Sequence, residues 1–183
     1  MIRKYFLIFL LITNFLYATT KEDIFKSYEA KDYSDACLKS GNLYQEYKND
    51  EDFLTIFADS CLQIDMINST ILPIVKLYKS KKARENAAYF ATILYEKKLL
   101  YYALIDDVDI SYINLPKTKY ILSIIFDKFV KKNYDFKNGA YWFTDDTDKE
   151  LTYKLSAEEN QEIKKIFLRT YKNNEIIKIR TYR

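Results

Sequence analysis

The chain contains two cysteines, Cys37 and Cys61, and no histidine. A thiol nucleophile needs a base, most often a histidine, and a structural zinc ion needs four ligands, so the sequence supplies neither chemistry. The two cysteines are too far apart for the Cys-x-x-Cys motif of thiol oxidoreductases. Two uses of the pair remain open: a disulfide bond, or two buried free thiols.

A group of four carboxylates lies at residues 145–150, in the segment DDTDKE. Oxygen-bearing side chains alternate at Asp146, Asp148 and Glu150, as they do in calcium-binding loops. The turn glycine and the distal glutamate of an EF-hand are missing. The pattern therefore indicates a polar hairpin turn, and we expect no metal site.

The same carboxylates define the alternative function, because Trp142 lies just before them. A cell-envelope enzyme or accessory domain could use Asp145, Asp146 or Glu150 as a carboxylate pair beside the indole ring. Nothing in their spacing sets two carboxylates across a cleft. We therefore expect a protein that is not an enzyme and that binds no cofactor.

The composition favours helices with short connections. The chain has 183 residues, of which 49% are apolar, and it contains only two glycines and two prolines. A phosphate-binding loop or a Rossmann sheet needs more glycine than this. Few residues that interrupt helices and many long side chains favour a mainly α-helical fold.

The formal net charge of +3 is unevenly distributed. Residues 21–65 carry five lysines and eleven acidic residues, whereas residues 76–98 carry seven basic residues and two glutamates. This is typical of solvated helix faces, or of a bipolar surface that orients a partner or promotes self-association. We expect a partner to contact the basic segment at Lys81, Lys82 and Arg84. The basic residues are too sparse for a nucleic-acid site.

The first eighteen residues, MIRKYFLIFLLITNFLYA, predict a signal peptide. Arg3 and Lys4 form the basic start, an apolar run follows from Tyr5 to Ile12, and Ala18 supplies the small residue before the cleavage point. We expect an exported protein, most simply a periplasmic one, with no stable transmembrane span after cleavage. The alternative is a protein anchored by this segment left uncleaved.

Apolar periodicity predicts helices over most of the next 115 residues. The predicted helices span 20–30, 34–47, 51–66, 69–79, 82–97, 99–106 and 117–132.

A weak period of about 34 residues runs through these helices. An apolar turn residue recurs at Tyr33, Ile67, Leu100 and Tyr134. A small residue follows it at Ala36, Thr70 and Ala103.

This pattern resembles the tetratricopeptide repeat, a helical hairpin that stacks into arrays. The close-contact position of the first helix, usually Gly or Ala in that family, is Ala58 in the second unit and Ala91 in the third. The resemblance implies a concave groove, lined by the first helix of each unit, that binds a peptide or protein segment. It implies partner contacts at Tyr28, Gln63 and Tyr95. Another antiparallel helical array is the alternative.

The cysteines lie on the two arms of one predicted hairpin, whose turn is near Asn49. Cys37 and Cys61 are each twelve residues from Asn49, so an antiparallel hairpin places them level, both roughly 18 Å from the turn. In an exported protein two lone thiols at the same level predict a disulfide bond. Two buried free cysteines stay the alternative.

After residue 135 the pattern changes to a small mixed module. Leu151, Tyr153 and Leu155 alternate as in a strand, and GAYWFT and EIIKIRTYR are rich in strand-forming residues. Ser156 with Glu159 forms a capping box, which predicts a helix that continues to about residue 172. The predicted order is therefore β-β-α-β.

Together these features predict three segments: a signal peptide at 1–18, a helical-repeat domain at 19–135 and a small α+β module at 136–183. The expected fold is mainly α, with stacked helical hairpins ahead of the module. The expected function is a non-enzymatic, exported interaction or scaffold protein that binds a protein or peptide in the cell envelope.

Overall fold

A computed structural model describes residues 19–160 and 163–183, so the predicted signal peptide lies outside the described residues. The described residues form six α-helices and then five β-strands. The helices are α1 (Lys21–Glu29), α2 (Tyr33–Tyr47), α3 (Glu51–Gln63), α4 (Ile71–Ile74), α5 (Lys81–Asp106) and α6 (Ile121–Val130). A short 3₁₀ helix, Ile67–Thr70, precedes α4. Within these described ranges, no helix combines the length and the apolar character needed to cross a bilayer.

The first three helices form two successive antiparallel hairpins with tight turns. Thr20 begins α1 with a capping box to Asp23, and the side chain of Asp50 accepts hydrogen bonds from main-chain N–H groups at the start of α3. The core between the helices is built from buried apolar side chains, among them Ile24, Phe53 and Leu54. These local signals lie where the sequence predicts hairpins, and α1, α2 and α3 begin within two residues of the predicted positions.

The predicted disulfide is present. Cys37 on α2 and Cys61 on α3 are bonded, their Cα atoms lie 5.0 Å apart, and both side chains are buried. The prediction of a disulfide is confirmed. Both helices advance by the same distance per residue, so two residues equally far from the turn lie next to each other across the hairpin.

The predicted break at residue 98 is wrong, because α5 runs without interruption from Lys81 to Asp106. The 34-residue period places a turn at Leu100, yet this residue lies completely buried inside the helix, more than one turn before its end. No glycine or proline interrupts the segment, so the helix continues until Asp107, which takes a left-handed conformation with φ of 54°.

The strands form one antiparallel sheet in the order of the chain. They are β1 (Asp135–Lys137), β2 (Ala140–Thr144), β3 (Leu151–Asn160), β4 (Ile163–Lys172) and β5 (Glu175–Tyr182). One face, with Phe143, Leu155, Ile166 and Leu168, is buried in the same core as the helices. The sheet contacts α5 through β3 and β4.

The predicted β-β-α-β order is wrong at its helix. Residues 156–172 are predicted as a helix from the Ser156 capping box, but residues 156–160 belong to β3 and residues 163–172 form β4. Burial there alternates with a period of two at Ile166, Leu168 and Thr170. The β3–β4 hairpin pairs with β2 on one side and with β5 on the other. This pairing outweighs the helix cap at Ser156, which contributes only about 1 kcal/mol. The hydroxyl of Ser156 instead accepts a hydrogen bond from Arg169 across the hairpin, at 3.1 Å.

Candidate binding groove on the helical layer

Three polar side chains form a connected row across α1 and α3. The hydroxyl of Tyr28 on α1 donates to Oδ2 of Asp59 on α3, at 2.6 Å. The amide of Gln63, one turn further along α3, donates to Oδ1 of the same carboxylate at 3.4 Å. Burial and the hydrogen bond to Asp59 raise the pKa of Tyr28, so its hydroxyl stays a donor at neutral pH.

Tyr89 on α5 lies near the Asp59 end of this row. Its side chain is half-buried, and its pKa is raised first by burial and then by the negative charge of Asp59. Asn86, one turn earlier on α5, donates to the hydroxyl of Thr55 on α3 at 3.1 Å and so fixes the two helices together. Polar contacts therefore join α1 to α3 and α3 to α5. We call the surface that carries Tyr28, Asp59, Gln63 and Tyr89 the groove.

Beyond Tyr89 the groove opens into a depression of about 790 Å³. Its lining residues are Tyr89, Lys117, Thr118, Lys119 and Ile124. Lys119 is exposed, and Nζ of Lys117 lies 3.6 Å from the Asp127 carboxylate. One end of the groove is therefore acidic at Asp59, and the other end carries two lysines. Such an arrangement can orient an extended ligand that carries opposite charges.

Two of the three predicted groove residues, Tyr28 and Gln63, meet at Asp59. The third, Tyr95, lies on α5 with 52% of its surface exposed. It is six residues after Tyr89, which places it about 120° away around the helix, on another face. The structure therefore groups Tyr28 and Gln63 with Tyr89 and separates Tyr95 from them.

The predicted basic contacts lie at the start of α5. Lys81 and Lys82 are exposed, and Lys81 lies 3.8 Å from Glu85. Arg84 is engaged within the chain, because its guanidinium donates to the main-chain oxygens of Tyr78 at 2.9 Å and Lys79 at 2.7 Å. Arg84 thus holds the loop before α5, whereas the two lysines face the solvent.

The carboxylates near Trp142 each have a partner within the fold. Asp145 accepts hydrogen bonds from the main-chain N–H groups of Asp148 and Thr147 and from the hydroxyl of Tyr153, and these bonds hold its pKa well below the usual range. Asp146 pairs with the largely buried Lys128.

The indole of Trp142 belongs to the opposite face of the sheet from Phe143 and Tyr153, because neighbouring strand residues alternate. It packs against Tyr171 at 5.4 Å, with Lys137 and Lys154 over its ring at 5.1 Å and 5.6 Å. Glu150 lies 3.8 Å from Lys172. The structure therefore does not group the candidate carboxylates around the indole.

Two charged residues that the sequence analysis missed are buried in the middle of α5. Glu96 is 1% exposed, and its Oε1 accepts a hydrogen bond from Ser123 on α6 at 2.9 Å. Burial raises the pKa of Glu96 to about 7. Burial also lowers the pKa of Lys97 to about 8. The sequence does contain a signal for this pair, because Glu96 and Lys97 interrupt the apolar run TILYEKKLLYYALI. Helical periodicity hides the signal, because it assigns charged residues to the exposed face of a helix.

Lys97 connects the helices to the end of the last strand. Its ammonium group donates to Asn68 and to the main-chain oxygen of Arg183, the latter at 2.6 Å. Nearby, Asp65 accepts from the hydroxyl of Tyr120 at 2.6 Å and lies 3.2 Å from Nε of Arg180. These polar contacts fix β5 to the helical layer.

In residues 19–160 and 163–183, no three cysteine or acidic side chains are arranged to hold a metal ion. Comparison with family models, with curated proteins and with solved structures returns no match to this chain.

Proposed function

We propose that the chain is an exported, non-enzymatic interaction protein that binds an extended peptide or protein segment in the groove across α1, α3 and α5. The single observation that carries the proposal is the row of Tyr28, Asp59, Gln63 and Tyr89, which runs over three helices into an open depression of about 790 Å³. The first helix of each unit is the surface that the tetratricopeptide resemblance assigns to a ligand.

The chemistry of the groove favours a segment with opposite charges at its two ends. A basic side chain of the ligand would lie over Asp59, and an acidic one would reach Lys117 and Lys119. Aromatic rings at Tyr28 and Tyr89 supply apolar contact area with few rotatable bonds, which suits a binding surface.

Export is the second part of the proposal, and it is supported by the Cys37–Cys61 disulfide, since such bonds persist in oxidising compartments. The basic and apolar pattern of residues 1–18 supplies the signal that export needs.

A photo-crosslinking experiment in the exporting cell tests the proposal. A benzophenone amino acid replaces Tyr89 in one variant and Ile179 in a control variant. Ile179 is exposed on β5 and lies opposite Arg169, on the face of the sheet that is turned away from the core. We expect one dominant adduct at position 89, none of it at position 179, and its loss when Asp59→Lys is added. The same adduct at both positions, or an adduct that is insensitive to Asp59→Lys, would contradict the proposal.

A further inference from the structure

Four large apolar side chains project into the solvent between the 3₁₀ helix and α5. Ile71, Leu72, Val75 and Tyr78 are between 45% and 63% exposed. Ile71 and Val75 are four residues apart, and Leu72 and Val75 are three apart, so the helical turn of α4 brings them to one face. We call these four residues the apolar ridge. Isolated apolar side chains on a surface are ordinary, but a contiguous group marks an interaction site.

The ridge is held in place by the rest of the helical layer. The buried side chains of Pro73 and Leu77 lie between the exposed ones and anchor the segment in the core. The carboxylate of Glu51 accepts the main-chain N–H of Lys79 at 2.7 Å and that of Ser80 at 3.1 Å. Arg84 holds the carbonyl oxygens of the same loop. The apolar side chains are therefore presented by a fixed backbone.

Basic residues are concentrated in the last part of the ridge segment and in the stretch of chain that follows it. This basic rim consists of Lys76, Lys79, Lys81, Lys82 and Arg84. No acidic residue occurs between positions 76 and 84. In the described part of the chain, Lys81 and its exposed neighbour Glu85 form the one ion pair of the rim, at 3.8 Å, and such surface pairs contribute little.

We propose that the apolar ridge and basic rim form a docking site for the surface of an anionic lipid bilayer. The four apolar side chains enter the interfacial region, and the lysines of the rim contact the phosphates of the headgroups. This combination of projecting apolar groups and surrounding positive charge is what interfacial binding requires. Charge complementarity identifies the occupant as anionic, since the rim offers a zwitterionic surface no net attraction.

The shape of the site favours a bilayer over a protein partner. None of the four ridge residues lines one of the five main depressions in the described part of the chain. Projecting side chains suit a deformable interface that opens around them. The site is separate from the groove, so either proposal can fail without the other.

Vesicle flotation tests the docking site with the chain from Thr19 onward, which contains every described contact and the disulfide. We expect binding to vesicles of equal parts phosphatidylglycerol and phosphatidylcholine, none to pure phosphatidylcholine, and weaker binding as salt rises. Replacing two rim lysines, Lys81→Gln with Lys82→Gln, should weaken binding about 30-fold, since each basic group near an anionic surface contributes roughly fivefold.

Two matched variants separate the ridge from general charge. Lys26→Gln with Lys31→Gln removes the same charge from exposed positions on another surface and should leave binding unchanged. Leu72→Ser with Val75→Ser keeps the charge and should weaken binding by at least about tenfold, because apolar groups no longer enter the interface. Circular dichroism of each variant checks that the fold is kept.

A fluorescence reporter tests insertion directly. The only tryptophan is removed with Trp142→Phe, and a new one is placed on the ridge with Val75→Trp. We expect a blue shift on vesicle binding and quenching by lipids brominated on the acyl chain. The control Tyr112→Trp lies at an exposed position in the loop after α5, outside the ridge, and should not be quenched.

Several results would overturn the proposal. They are equal binding to anionic and neutral vesicles, no binding to either, or an unquenched tryptophan at position 75 on bound vesicles. If Leu72→Ser with Val75→Ser instead changes the mass of the protein in light scattering, the ridge joins two copies of the chain. If those substitutions abolish binding of an acidic protein and leave vesicle binding intact, the ridge serves that protein.

Discussion

Replacing the buried Glu96 with glutamine should remove a large pH dependence from the stability of the fold. The folded protein holds the proton of Glu96 up to a pKa of about 7, whereas the ordinary value is 4.5. The first cause is burial, because a carboxylate in an apolar environment loses its hydration. The hydrogen bond from Ser123 acts in the opposite direction, and the charge of Asp127 adds to the rise.

The sign of the effect follows from proton linkage. Between pH 4.5 and about 7 the unfolded chain has released the proton and the folded chain still holds it, so the free energy of unfolding falls as pH rises. Each pH unit in this window corresponds to about 1.4 kcal/mol, which gives a total of about 3 kcal/mol. Above pH 7 both states are ionised and the contribution no longer changes.

Glutamine keeps the shape of the side chain and the acceptor for Ser123, but it carries no titrating proton. The second carboxyl oxygen, Oε2, has no hydrogen-bond partner among the described residues, so the exchange breaks no described bond there. We therefore expect Glu96→Gln to be close to the parent in stability near pH 4.5 and more stable by about 3 kcal/mol at pH 8.

Urea unfolding of both proteins at a series of pH values measures this difference. Glu85→Gln is the matched control, because Glu85 is exposed on the same helix, and it should show no such trend. A carboxyl resonance of Glu96 that titrates near pH 7 would support the interpretation independently. A difference between Glu96→Gln and its parent that stays constant from pH 5 to pH 8 would refute the reasoning.

Three further predictions concern the fold. Oxidised protein should show no alkylatable thiol in mass spectrometry under non-reducing conditions. The double variant Cys37→Ala with Cys61→Ala should lower the free energy of unfolding by about 3.5 kcal/mol, or the melting temperature by roughly 10 °C. An unchanged melting temperature would contradict the structural role of the bond. Leu100→Ala, at a completely buried position in α5, should lower the free energy of unfolding in urea by about 2–5 kcal/mol. If Leu100 lay in an exposed turn instead, the same substitution would lower it much less. Asp145→Asn should destabilise the protein by about 1–2 kcal/mol at neutral pH and by less under acid conditions. The low pKa of Asp145 means that its carboxylate stabilises the folded protein at neutral pH, and this stabilisation disappears when acid protonates the carboxylate of the parent. Equal losses at both pH values would contradict this role of Asp145.

The features predicted correctly rest on geometry that short stretches of sequence control. The Cys37–Cys61 bond follows from equal helix lengths on both sides of one turn, and helix rise varies little. The strand at Leu151, Tyr153 and Leu155 follows from strict alternation, which directly reports one buried face.

The features predicted wrongly depend on contacts that are distant in sequence. The capping box at Ser156 is a correct local signal for a helix, but β3 gains ladders of hydrogen bonds on both sides and a buried face instead. The break at residue 98 came from extending a period of 34 residues, although no residue in that stretch ends a helix. A repeat period predicts a helix boundary only where the sequence also contains residues that end a helix.

The candidate groove could be predicted only in part. The tetratricopeptide resemblance assigns ligand contacts to the first helix of each unit, and it thereby selects Tyr28 and Gln63. Both side chains bond to Asp59. Tyr95 and Tyr89 both lie on α5, and which of them faces α3 depends on the rotation of that helix. The contact between Asn86 and Thr55 settles this rotation, and no single sequence shows it.

One helix, α3, connects the features that the two proposals use. Its first residue, Glu51, fixes the loop that carries the apolar ridge. Asp59 forms the acidic end of the groove, and Cys61 bonds α3 to α2. The disulfide restrains the helix from which both surfaces are positioned. Because a disulfide acts mainly by limiting the unfolded chain, it stabilises the two surfaces equally and favours neither. If both proposals hold, a crosslink on α3 is well placed, because this helix is the element that the groove and the apolar ridge share.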